Sequence, residues 1–171
     1  MGKQLHFVSI TVSLVWIAVI TLAISVAMTA ILRRRGSGYG SIAERLRMVW
    51  LVAAITTVAV MTLQPGPDGF GAPLPSLPNP FAAVVLPDAI ANVVLYLPLG
   101  FTATLLWKSK PRRVFMATGL ALCVSLAIEL AQWMVPISRS AQIHDVIFNT
   151  LGGFVGAVAA VLVLRATSTP E

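Results

Sequence analysis

Long apolar runs alternate with short polar connections along the whole chain. The runs are Val8 to Leu32, Met48 to Leu63, Asp88 to Trp107, Val114 to Val135 and Ile143 to Leu164. A helix rises ~1.5 Å per residue, so about 20 residues cross a hydrocarbon core ~30 Å thick. Four runs meet that length. The second is short and is expected to borrow a turn from Ile42 to Arg47. The pattern therefore predicts an all-α bundle of five transmembrane helices. The segment 1–87 carries two spans, a basic connection and a Pro-rich loop. The segment 88–165 forms a three-helix core, and 166–171 is a polar tail.

Polar side chains interrupt the last three runs at helical spacing. Asp88, Asn92 and Tyr96 follow at four-residue steps and share one face. Ser125, Glu129 and Gln132 form a stripe on the fourth span, and Asp145 and Asn149 one on the fifth. Pro87 followed by Asp88 suits a helix start, with the acid at the positive end of the helix dipole. Pro98 falls in mid-span, where it is expected to kink the helix and free a carbonyl. Gly152 and Gly156 form a small-xxx-small pair that permits close helix approach. Between the second and third spans, Gln64 to Pro87 holds seven of the eleven prolines and no Lys or Arg. That stretch reads as an extended or turn-rich loop.

Composition agrees with the pattern. Of 171 residues, 57% are hydrophobic and 11% charged, and the mean hydropathy is +0.88. A soluble domain carries about a quarter charged residues. The formal charge of +6 lies beside the spans rather than on a separate face, so it reads as a topology signal and not as a nucleic-acid surface. Arg33, Arg34, Arg35, Arg45 and Arg47 occupy the first connection, and Lys108, Lys110, Arg112 and Arg113 the third. The second has none and the fourth only Arg139. These biases put the first and third connections in the cytoplasm, the N-terminus outside and the C-terminus inside. The first run is too long for a cleaved signal peptide, and the three arginines after it resemble a stop-transfer flank, so an uncleaved anchor is expected. Cys123 in mid-span reads as a small inert side chain.

This topology gathers the polar residues at one depth. Asp88 and Asn92 begin the third span, Glu129 and Gln132 end the fourth, and Asp145 and Asn149 begin the fifth. Asp88, Glu129 and Asp145 are three of the six acids in the chain. A carboxylate in the rim of a bilayer is costly without a partner or water. Arg139, in the outer turn, is the cation at hand. For single residues, interhelical hydrogen bonding and helix capping explain the polarity as well as a site does. Taken together, Asp88, Asn92, Glu129, Gln132, Arg139, Asp145 and Asn149 are expected to form an outer-leaflet ligand site.

The segments DAIANVVLYLPLG (Asp88 to Gly100), ELAQ (Glu129 to Gln132) and the spacing of Arg139, Asp145, Asn149, Thr150 and Gly152 resemble the VanZ-like family of small membrane proteins. The match in order and spacing runs from Asp88 to Gly156, while the first two spans are similar only in being hydrophobic. The resemblance implies a multi-pass protein of the bacterial cytoplasmic membrane, associated with resistance to glycopeptide antibiotics of the teicoplanin type.

Two chemistries fit these residues best. The first is binding of a lipid, a lipid-linked cell-wall precursor or an amphiphilic glycopeptide. Arg139 would face a phosphate or carboxylate, Glu129 and Asp145 would orient it or take a cationic group, and Asn92, Gln132 and Asn149 would supply hydrogen bonds. The second is an enzyme acting on a lipid-linked substrate, with Glu129 as general base and Asp145 or Arg139 as electrostatic support. No nucleophile elbow, P-loop, HExxH or paired-His motif is present. No cofactor or metal is therefore expected, and binding is the leading expectation. His144 reads as an interfacial side chain. A transporter would need polar groups deeper in the spans, which offer little beyond threonines.

Overall fold

The structure is a computed structural model. It describes residues 40–64, 84–107, 111–135 and 141–167, together with the helical positions Ile20, Thr21, Ala23, Ile24, Val26, Ala27 and Ile31. The described chain forms four long helices: α1 (Gly40–Thr62), α2 (Leu86–Leu106), α3 (Arg113–Met134) and α4 (Ile143–Ala166). Each is long and apolar enough to cross a membrane. The protein is a multi-pass, all-helical membrane bundle.

Local chemistry sets the helix ends. α1 begins at Gly40 and absorbs the basic Ile42 to Arg47 segment, which supplies the length the second apolar run lacks. α2 opens with Pro87 in its first turn, where the missing N–H costs nothing, and with Asp88 beside it. α3 stops at Met134, two residues before Pro136, which cannot continue a helix. α4 has Asp145 in its first turn and Arg165 in its last, each matched to the dipole. The helix α2 runs through Pro98 without interruption. Thr102 Oγ1 donates back to the Pro98 carbonyl at 2.8 Å, and Thr104 Oγ1 to that of Gly100 at 2.9 Å. Their hydroxyls are thus satisfied within the helix and need no outside partner.

Helix α2 is the centre of the bundle. In its most apolar window 61% of residues are buried, against 17% in α1. Its closest partner is α4, and glycine explains why. A Cβ on Gly152 would collide with the Val93 carbonyl, one on Gly156 with that of Leu97, and one on Gly100 with that of Gly153. The backbones of α2 and α4 meet directly, while the Ala121 methyl of α3 sits on Gly153, as small residues allow in membrane helices. The small-xxx-small pair read from the sequence is therefore a real contact, extended by Gly100 and Gly153.

Helix α1 packs differently. Its Ala54 and Val58 lie against Leu95, Tyr96, Leu99, Ala121 and Ile128, all buried. The contact is made by side chains over the α2–α3 groove. At the other end of the bundle, Phe101, Leu105, Ala160 and Leu164 form a second cluster, with Val26 packed on it. The first apolar run thus contributes helical residues against α2 and α4.

Candidate functional site

The polar layer sits at one end of the bundle, where α1 and α3 finish and α2 and α4 begin. Four interhelical hydrogen bonds among the described residues define it. Asn92 Nδ2 on α2 donates to Asp145 Oδ1 on α4 at 2.8 Å. Asn149 Nδ2 on α4 donates to Ser125 Oγ on α3 at 2.9 Å. The backbone N–H of Gln142, which caps α4, donates to Glu129 Oε2 on α3 at 2.8 Å. Gln132 Nε2 on α3 donates to the carbonyl of Thr62 on α1 at 2.8 Å. Helical periodicity brings this about. Ser125, Glu129 and Gln132 lie on the buried stripe of α3, and Asn149 lies on that of α4.

Two of these bonds serve helix ends. α4 has no side-chain cap of its own. The Glu129 carboxylate fills that place from across the turn, near the positive end of the α4 dipole. Gln132 satisfies one of the last carbonyls of α1, which have no intrahelical donor. Both roles follow from burial: Glu129 is 9% exposed and Gln132 5%. Asp145 is more open, its side chain 26% exposed, with His144 Nε2 at 3.5 Å from Oδ1. The Asn92–Asp145 bond is charge-assisted and half-buried. In a double-mutant cycle of Asn92→Ala and Asp145→Ala we expect a coupling of about 1–2 kcal/mol. Coupling near zero in detergent unfolding would show that the two side chains do not meet.

Three buried polar atoms have no hydrogen-bond partner among the described residues: Tyr96 Oη, Asn149 Oδ1 and His144 Nδ1. Tyr96 is fully buried and Asn149 is 2% exposed. The Tyr96 hydroxyl faces Ser125 without reaching hydrogen-bond geometry, and Glu129 and Asp145 lie within electrostatic reach. Tyr96, Ser125 and Asn149 therefore bring three helices together around one buried point, with a donor and an acceptor left over.

Of the seven positions expected from sequence, the structure joins Asn92, Glu129, Gln132, Asp145 and Asn149 in this layer. Asp88 is exposed at the start of α2, and none of the four interhelical bonds includes it. Arg139 and most of the Pro-rich loop lie outside the described residues. Sequence reasoning placed Tyr96 and Ser125 on the right stripes without assigning them to the site. His144, expected at the interface, is half-buried beside Asp145 in the first turn of α4. Nothing in the sequence marked the Thr62 carbonyl, because a backbone acceptor has no sequence signature. Among the described residues, no three His, Cys, Asp or Glu side chains converge as metal ligands would.

A model of the VanZ/LLP1 family matches residues 7–164. The chain belongs to the VanZ/LLP1 family. The VanZ/LLP1 match takes in the first two apolar runs as well as the three-helix core, so the resemblance is wider than the motifs from Asp88 to Gly156. No curated protein and no solved structure matches the chain. Asn92, Glu129, Gln132, Asp145 and Asn149, which build the polar layer, all lie within the matched residues.

Proposed function

We propose that this VanZ/LLP1 protein binds the headgroup of a lipid or lipid-anchored amphiphile in the polar layer, facing the outer leaflet of the bacterial cytoplasmic membrane. The observation that carries this reading is the pair of buried atoms without a hydrogen-bond partner among the described residues, Tyr96 Oη and Asn149 Oδ1. A buried polar group without a partner costs about 1–3 kcal/mol. Two such atoms from different helices, beside Glu129 and Asp145, are accounted for by a ligand that supplies the missing bonds. The outward orientation rests on the basic connections, with five spans and the N-terminus outside. Arg139, in the turn between α3 and α4, would meet the phosphate or carboxylate of the ligand. A cell-wall lipid precursor or a glycopeptide with an acyl chain fits this description, and either would tie the protein to glycopeptide resistance. Binding is favoured over catalysis because Glu129, the candidate general base, already holds the N-terminus of α4.

Native mass spectrometry from nanodiscs tests the reading. The probes are phosphatidylglycerol, a lipid-linked cell-wall precursor and a teicoplanin-type glycopeptide, each added separately. At least one adduct is expected on the wild-type protein, about tenfold weaker in Asn149→Ala and unchanged in the lipid-facing Leu126→Ala. Equal adducts in all three proteins would mean that the polar layer is not the site.

A further inference from the structure

Two observations bear on how a ligand reaches the buried point. The first is a difference in how the helices are held. α2 and α4 are locked by backbone contacts at Gly100, Gly152, Gly153 and Gly156, and the Ala121 methyl of α3 sits on Gly153. α1 rests on them by side chains, Ala54 and Val58 over the Tyr96 ring, and at its site end the Gln132 amide grips the Thr62 carbonyl. Helix α1 thus covers Tyr96, and its displacement disturbs none of these close glycine contacts. The second is the chemistry of the buried point beside Tyr96. Asn149 Oδ1 only accepts hydrogen bonds, and the Tyr96 hydroxyl both donates and accepts. Neither atom is accessible in the structure, so a ligand meets them only after something moves.

From these we infer that α1 is a lateral gate, latched by Gln132 on the Thr62 carbonyl, and that it admits a bilayer lipid whose headgroup carries O–H or N–H donors to Tyr96 and Asn149. The inference rests on the binding reading above and narrows it. Access from the side selects molecules already dissolved in the membrane over aqueous solutes. The acceptor-only Asn149 oxygen selects headgroups with donors, such as glycerol or ethanolamine, over choline, which has none. The site then trades one set of unmet bonds for bonds to the ligand, while α1 closes again over the acyl-chain side.

The experiment has two arms, both in a Cys123→Ala background, since Cys123 lies on an exposed face. In the first arm, Val58→Cys places a thiol under the gate, where Val58 is 1% exposed. Its labelling by a membrane-permeant maleimide in phosphatidylcholine nanodiscs, with no ligand added, reports opening alone. Gln132→Leu is expected to raise the rate about fivefold, the factor for one lost hydrogen bond of about 1 kcal/mol. Equal rates overturn the gate and leave the binding reading standing. In the second arm, Thr62→Cys with Gln132→Cys is bridged by a short bis-thiosulfonate and later reduced, so latched and released states share one fold. Retention of added phosphatidylglycerol or phosphatidylethanolamine is read by native mass spectrometry. Uptake is expected in the reduced protein and blocked in the bridged one, with glycerol 3-phosphate failing to compete. Uptake that ignores the bridge, or that glycerol 3-phosphate abolishes, overturns lateral access. Equal retention of phosphatidylcholine overturns the donor rule. No retention of any lipid in the reduced protein overturns the binding reading and the ligand half of this inference with it.

Discussion

Gly152→Ala is expected to destabilise the bundle by about 3 kcal/mol or more, at the top of the range for overpacking. The added methyl would occupy the space of the Val93 carbonyl on α2. A flexible side chain could turn aside, but a helix backbone cannot without moving the whole helix. Gly100→Ala and Gly156→Ala meet backbone atoms in the same way and should behave alike. Gly119 on α3 is the internal control, because a Cβ there meets nothing within 4 Å. Gly119→Ala should be neutral or slightly stabilising, since alanine is the better helix former. Unfolding in mixed detergent micelles measures all four. If Gly152→Ala and Gly119→Ala unfold together, α2 and α4 are not in backbone contact and the described packing is wrong.

Tyr96→Phe should move stability and binding in opposite directions. Removing a buried hydroxyl that has no partner relieves its desolvation cost, so the variant is expected to be about 1 kcal/mol more stable than the wild type. The ring, and its packing against Ala54 and Val58, is kept. The same change deletes one of the two groups proposed to hold the headgroup, and retention of phosphatidylglycerol should fall about tenfold, equivalent to about 1.4 kcal/mol. An ordinary structural tyrosine gives the reverse sign on stability, because its phenylalanine variant loses a satisfied bond. A Tyr96→Phe protein that is both less stable and fully competent to retain lipid would therefore remove the main support for the binding reading. This test separates a functional orphan from a structural one with a single atom.

The spans were legible because length and apolarity are local properties. The expected bounds of the last three differ from α2, α3 and α4 by a residue or two, and the short second run took up Ile42 to Arg47 as anticipated. The polar layer was legible in outline for a related reason. Antiparallel neighbours joined by short connections bring the end of one helix beside the start of the next, so Glu129 and Gln132 had to fall near Asp145 and Asn149.

By itself, the sequence determined the class of protein, the four long helices of the described chain, the faces on which polar residues lie and the VanZ/LLP1 kinship. Periodicity fixes the direction of a side chain relative to its own helix axis, and hydropathy fixes where the chain meets lipid. Only the tertiary structure decided which groups meet. It paired Asn92 with Asp145 and Asn149 with Ser125, turned Gln132 toward a backbone carbonyl, gave Glu129 to the cap of α4 and left Asp88 exposed. Among the described residues, it also left Tyr96 Oη and Asn149 Oδ1 without a hydrogen-bond partner. The reason is that a hydrogen bond forms or fails within a few tenths of an ångström. The rotation and separation of neighbouring helices set that distance, and here the glycines of α2 and α4 fix both.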